Sequence, residues 1–170
     1  MQTQVTVKTI YICSIERAFK TPILCNVTKV HTGFLGLMPK VTHTVPVGNK
    51  KWGQPGSSKK IFVAKSLTYK QGEAFTDTVI ERTENKYWII ELSGFKAFMF
   101  GFYKFTGKWE TEELQPGKIL INYTYTLYSQ IPLLYPFNWL FAKTFWMLYM
   151  KQVLENIRQM AYSNEPYQYE

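Results

Sequence analysis

Apolar and polar positions follow two periods along this chain. Residues 5–12 alternate weakly and are rich in β-branched types, which predicts a first strand. Ser14 then stands as an N-cap before a short helix over 15–20. Pro22 disfavours helical backbone in the residue before it, so the helix is expected to end or reset there. Ile23, Val27, Val30 and Phe34 keep helical spacing, but Gly33, Gly36 and Pro39 interrupt it. This reads as a second short helix followed by a loop. Residues 46–60 hold Gly48, Gly53, Pro55 and Gly56 and read as a loop anchored by Trp52. Five strands follow, over 61–67, 75–82, 87–92, 101–111 and 119–128. The last is the cleanest. Ile119, Ile121, Tyr123, Tyr125 and Leu127 alternate with Leu120, Asn122, Thr124, Thr126 and Tyr128, so one face is buried and the other mostly wet. Short connections such as Gln115-Pro116-Gly117-Lys118 call for an antiparallel sheet, because parallel neighbours need long crossovers.

From 137 to 162 no Gly or Pro interrupts and the period becomes helical. Ala142, Trp146, Tyr149, Val153, Ile157 and Met160 form one stripe, with Lys151, Glu155 and Arg158 roughly opposite. The second half of this helix is amphipathic. The first half is not, because Leu140, Phe141, Phe145, Met147 and Leu148 are apolar on the face that should be wet. Segment 131–150 carries a single charge, Lys143. A run of that length invites a membrane-spanning reading, but Pro132, Pro136 and Lys143 lie inside it and the stripe continues past it. A second cover accounts for it better: loop 33–58, a partner subunit in a homodimer, or a ligand.

Composition narrows the class. A length of 170 residues suits one domain over 1–170, with a core at 4–162 and a tail at 163–170. A chain of this size buries about 70% of its unfolded surface and needs no metal or disulfide staple. With 46% hydrophobic and 17% aromatic residues it is neither disordered nor collagenous. Cys13 and Cys25 form no CxxC and read as small buried hydrophobes. The opening MQTQVTVKT lacks the pattern of a secretory signal, and free thiols then favour the cytoplasm. The net charge of +8 raises the question of partners. Lys50, Lys51, Lys59 and Lys60 surround Trp52, which suits an anionic membrane surface, a nucleic acid or an ordinary solvated face. Basic residues elsewhere are scattered and no RNA-binding motif occurs, so no nucleic acid partner is expected.

One strand, two short helices, a run of antiparallel strands and a long terminal helix form a recognisable order. A sheet with one dry face must be covered, and the terminal helix is the element long enough to do it. A bent sheet around one helix leaves a cavity more readily than two flat layers do. The segments VTVKTIYICSIERAFKTPI, WGQPGSSKKIFVAKSLTYKQGEAFTDTVIERTENKYWIIEL and KTFWMLYMKQVLENIRQMA resemble the START/Bet v 1-like superfamily, the helix-grip proteins also known as SRPBCC or polyketide cyclase/dehydrase-like. The resemblance spans roughly 4–162 and rests on architecture rather than catalytic signatures. It implies an α+β fold, a curved antiparallel sheet of six or seven strands wrapped around the C-terminal helix. It also implies a hydrophobic cavity for lipids, sterols, polyketides or small aromatics. Some members of that superfamily are enzymes and many are binders.

Alternation selects the inward faces. Trp88, Ile90 and Leu92 share one, as do Tyr103, Phe105 and Trp109. Tyr123 and Tyr125 join them, and Trp146 and Tyr149 come from the helix. Such amphipathic rings suit a pocket that orients a greasy ligand, or equally a filled aromatic core. Asp77, between Phe75 and Val79, is a general acid or base if that face is inward and a solvated strand residue if it is not; Lys104 has the same ambiguity. His31 and His43 lack ligand-spaced neighbours, so no metal is expected. His43, before the loop over the expected cavity mouth, is the better candidate of the two for proton transfer. No GxSxG, P-loop, GxGxxG or HExxH occurs, so a nucleophile motif and a cofactor site are both missing. The expected function is binding of a hydrophobic small molecule or lipid. The alternatives are a cyclase or dehydratase in the same cavity, and a membrane-surface or homodimer protein using 131–150.

Overall fold

The computed structural model describes residues 1–169. Eight strands among them form one sheet: β1 Gln2–Ile12, β2 Thr32–Phe34, β3 Met38–Val47, β4 Ser58–Val63, β5 Gly72–Thr83, β6 Tyr87–Ser93, β7 Phe102–Gln115 and β8 Lys118–Ser129. Their spatial order is β1-β8-β7-β6-β5-β4-β3-β2, antiparallel throughout. From β2 to β8 each strand pairs with the next in sequence, as short connections require. Helices α1 Ile15–Leu24 and α2 Val27–Val30 carry the chain from the β1 edge to the β2 edge. The sheet curls into a half-barrel around the C-terminal helix, in an α+β architecture.

The sheet has one strand more than the six or seven expected. The segment from 33 to 47, expected as loop, contains β2 and β3. β2 is too short to show a period. In β3 the pattern breaks where the register shifts between Val41 and His43. Val41 is buried, Thr42 and His43 are both exposed, and no later side chain of β3 is buried. A strand whose residues beyond Val41 are wet on both faces, with Pro39 and Pro46 inside it, carries too little alternation to read.

Helix α1 begins where expected, with Ser14 Oγ accepting from the Arg17 N–H at 3.2 Å. It continues past Pro22 to Leu24. Pro22 forfeits one backbone bond near the helix end, but burial of Ile23 and Leu24 offsets it, and the Cys25 N–H closes on the Thr21 carbonyl at 3.2 Å.

The terminal helix is continuous but not uniform. Helix α3 Tyr135–Phe141 passes into a π-helical turn at Ala142–Trp146 and then into α4 Met147–Tyr162. All six residues of the expected stripe are buried. Burying its five large side chains is worth on the order of 10 kcal/mol, far more than helix propensity supplies. Tyr11 of β1 reaches across to donate to the Leu154 carbonyl at 2.6 Å. The apolar outer face of the first half is only partly covered. Phe34 of β2 packs on Phe145 with ring centroids 5.2 Å apart, and Phe100 packs on Phe141 at 5.9 Å, while Leu140 and Leu148 stay exposed. Among the described residues no helix is long and apolar enough to cross a membrane.

Candidate ligand site between sheet and helix

The inner face of the sheet and the helix stripe do not meet everywhere. Between them lies a cavity of about 80 Å³. Trp88, Ile90 and Leu92 of β6, Phe105 of β7, and Tyr123 and Tyr125 of β8 border it, with Trp146 and Tyr149 opposite on the helix. It runs from Ile23 and Trp52 at one end to Tyr69, Phe95 and Met99 at the other. The volume is several times what one water needs and roughly half that of an engineered cavity, ~150 Å³, that holds benzene.

The walls are apolar but carry polar handles. The Tyr123 hydroxyl donates to Tyr125 Oη at 2.9 Å, and the Tyr149 hydroxyl shares a 2.6 Å hydrogen bond with His31 Nδ1. Burial holds all three phenols far above the ordinary tyrosine range, so they stay neutral. Burial, with the Lys59 charge adding to it, pushes His31 down to about 4, so the imidazole is neutral at pH 7. The indole N–H groups of Trp88 and Trp146 have no hydrogen-bond partner among the described residues.

Two opposite charges also face this space. The β4–β5 register sets Lys59 directly across from Asp77. Lys59 is 4% exposed and Asp77 8%, and both border the cavity. Desolvation raises the Asp77 carboxyl and lowers the Lys59 ammonium from their ordinary values, and each charge opposes the other's shift. No ion pair or hydrogen bond among the described residues holds Lys59 Nζ. It sits 3.6 Å from the ring centroid of Trp52, a cation–π contact. Trp52 is itself fixed by its Nε1–H donating to the Ile23 carbonyl at 2.7 Å. Asp77 Oδ1 has no hydrogen-bond partner among the described residues. A buried pair of ions this poorly solvated is costly by itself. It offers a guest one donor and one acceptor on the same wall.

Four expectations need correction. Tyr103 is 46% exposed and lies on the outer face beside Tyr128, because a register shift between Phe102 and Lys104 turns Phe102 inward in its place. Trp109 is fully buried but does not border the cavity; it stacks on Trp88, with ring centroids 5.9 Å apart, and fills the core behind it. His43 is exposed on β3, stacked on Phe62 at 4.5 Å, and has no access to the cavity. The four lysines around Trp52 form no common basic patch. Lys59 is buried, Lys60 pairs with Glu73 at 2.9 Å, and Lys50 and Lys51 are left outward in the β3–β4 connection. Lys104 also faces outward, 3.4 Å from Glu91. The site residues that the pattern did not place in the cavity are His31, Trp52 and Lys59. Lys59 alternates in phase with Ile61 and Val63, and that phase is the signal that marks it as inward. Among the described residues no cluster of His, Cys, Asp and Glu is able to hold a metal ion.

Comparison with known proteins yields likeness of structure alone. No protein-family model matches the sequence, and no curated protein matches it. Solved structures do match over almost their whole length. Ara h 8.0201 covers 96% of this chain with 100% of its own, at 15% identity and a TM-score of 0.66. A START superfamily protein from Mycobacterium smegmatis covers 95% of this chain with 98% of its own, at 13% identity and 0.66. The fold is the Bet v 1/START helix-grip fold. Norcoclaurine synthase from Thalictrum flavum, solved in complex with dopamine and hydroxybenzaldehyde, shares it at 8% identity, covering 98% of this chain with 90% of its own at 0.68. Helix-grip proteins thus include an enzyme, and at these identities the likeness concerns the fold and not the activity.

Proposed function

We propose that this helix-grip protein binds a small, largely apolar molecule bearing a polar group, held in the cavity between sheet and helix. One observation carries the reading: an apolar cavity whose wall presents a buried, mutually opposed Lys59 and Asp77, with Asp77 Oδ1 lacking a hydrogen-bond partner among the described residues. Apolar walls supply affinity in proportion to the area they cover, about 25 cal/mol per Å² before entropic costs. Lys59 and Asp77 orient the polar group, and Tyr125 and Trp146 add further handles. At about half the volume of a cavity that holds benzene, the space takes a single small ring only when its walls shift outward. A longer lipid chain requires the loops that carry Tyr69, Phe95 and Met99 to move outward. That one helix-grip neighbour was solved with two small aromatic molecules supports the size class.

A second reading has one observation in its favour. Asp77 with a raised pKa beside Lys59 with a lowered one is an acid–base pair in a dry site, which suits proton transfer in a cyclase or dehydratase. His43 takes no part in it.

Calorimetric titration with a one-ring amphiphile, phenol, tests the binding reading. Saturable binding is expected, weakened at least tenfold by Val153→Phe, which fills the cavity from α4 while preserving the thermal unfolding profile. Absence of saturable binding, or binding indifferent to Val153→Phe, overturns it. Turnover of a bound carbonyl compound that is lost in Asp77→Asn favours the enzyme instead.

A further inference from the structure

The two ends of the sheet differ in a way that the cavity does not explain. Following the antiparallel order, the turn at 35–37, the loops at 64–71 and 94–101, and the start of the terminal helix all emerge at one end. The loop at 48–57, with Lys50 and Lys51, emerges at the other. The first end exposes its largest apolar side chains at the tips: Leu35 at 70%, Leu67 at 82%, Phe98 at 70% and Leu133 at 88%, with Phe137 and Leu140 half exposed on the helix. Solvent-exposed apolar residues are ordinary one at a time, but not as a connected set on four segments.

These segments touch. Phe98 packs on Phe100, and Phe100 on Phe137 at 5.0 Å. Phe141 stacks on Phe145, and Phe145 packs on Phe34 at 5.2 Å. The Leu67 N–H donates to the Gly36 carbonyl at 3.0 Å. Tyr69 and Met99, in the same two loops, border the cavity at this end.

Carboxylates follow the same division, although lysines stand at both ends. Segments 33–40, 64–72, 94–101 and 130–150 contain Lys40, Lys65, Lys70, Lys96 and Lys143 and no Asp or Glu. Glu73, next to these segments in the chain, is engaged by Lys60 and lies 3.6 Å from Lys96, and Lys40 borders a groove shared with Glu165. Glu16, Glu84, Glu112 and Glu113 lie at or near the opposite end.

Backbone conformation gives independent support. The turn over 34–37 closes with the Leu37 N–H on the Phe34 carbonyl at 3.1 Å, and both central residues have positive φ, Leu35 at 47° and Gly36 at 71°. Such mirror-image turns favour Asn-Gly. Phe100, at 52°, is a second bulky apolar residue in the left-handed region at the same end. Strain of this kind persists where the surrounding structure over-determines it, and it clusters at functional segments.

We infer that this end of the half-barrel docks on an anionic phospholipid bilayer, with Leu35, Leu67, Phe98 and Leu133 entering the interface and the surrounding lysines meeting the headgroups. Apolar insertion plus basic attraction is the physics of interfacial binding. The docked face surrounds one end of the cavity, but its binding does not depend on what the cavity holds.

Flotation of the full chain with phosphatidylcholine:phosphatidylserine 70:30 vesicles tests this. Co-flotation is expected, reduced at least tenfold with pure phosphatidylcholine or in 0.5 M NaCl. Leu67→Ser/Phe98→Ser/Leu133→Ser and Lys65→Glu/Lys70→Glu each lower the partition coefficient at least tenfold. Lys50→Glu/Lys51→Glu, at the far end, leaves it unchanged. Leu35→Asn raises thermal stability by relieving the turn and still weakens partition, which separates docking from folding. Binding of phenol in solution persists in all these variants, so its loss marks failure of the cavity reading alone. No flotation, flotation unaffected by the tip substitutions, or dependence on Lys50 and Lys51 overturns the inference. So does a dimer in sedimentation that dissociates on the tip substitutions without any vesicle binding, since a second copy then covers the face.

Discussion

His31 shows how one side chain can be decided by its surroundings rather than by its own chemistry. In the sequence it is an isolated imidazole in a stretch with poor periodicity. In the fold it bonds Tyr149 across the cavity and is held near 4 by desolvation and by Lys59. The folded pKa lies below the unfolded value near 6.5, so the unfolded chain binds the extra proton between those limits. The contribution to stability is therefore complete above about pH 6.5 and declines as the pH falls toward 4. Asp77, whose folded pKa is raised, has the opposite sign and stabilises the fold as the medium becomes more acidic. Comparing Tm against pH for wild type and His31→Gln isolates the first effect. The drop in Tm between pH 6.5 and 4 is expected to be smaller in the variant, and an unchanged slope contradicts a buried neutral imidazole.

Within a single element, alternation says which residues point inward but not what they meet. β8 was fully legible, and each of its expected inward residues is buried. β7 was not, because its register shift at Phe102 exchanges Tyr103 for Phe102 on the inner face. Gly107 on the same strand has a purely tertiary reason. A Cβ there would lie 3.0 Å from Tyr125 Cζ and 3.2 Å from Ile90 Cγ1. The absent side chain makes room for the Tyr125 ring, which packs on Trp146 at 5.2 Å and on Tyr123 at 5.0 Å. Gly107→Ala is expected to cost about 1–3 kcal/mol, the usual penalty for overpacking a tight core. Urea unfolding at unchanged m-value measures it; a neutral substitution means that Tyr125 is free to move.

For the molecule as a whole, residues 165–169 of the expected tail pack on the body rather than trail from it, while position 170 lies outside the described residues. Beyond α4 the Gln168 N–H donates to the Leu24 carbonyl at 2.8 Å, and Arg17 lies 4.7 Å from the centroid of the Tyr167 ring. Lys29 pairs with Glu165 at 2.6 Å. The Tyr169 ring stands 6.5 Å from that of Trp52 and 5.5 Å from Lys59 Nζ, so the tail helps to screen the buried ammonium from solvent. Truncation after Asn164 removes that cover. A loss of about 2 kcal/mol is expected, which for a chain of this length lowers Tm by roughly 4–8 °C. Tryptophan emission should shift to the red as Trp52 becomes wet. A truncated chain with the same Tm and emission would make the tail dispensable.

Periods of two and of 3.6 record which side of a local element leaves water, so the amino-acid pattern alone specifies six of the eight strands, their antiparallel pairing and the helix stripe. From that pattern followed the helix-grip architecture and most of the aromatic lining. Packing between distant segments settles what periodicity does not encode: the strand β3, wet on both faces beyond Val41, the facing of Lys59 and Asp77 across two strands, and the size of the cavity. It also decided that the apolar loop tips and their lysines share one end of the sheet. Each of these depends on register and packing between segments distant along the chain, and the energies of such contacts leave no local pattern to be read.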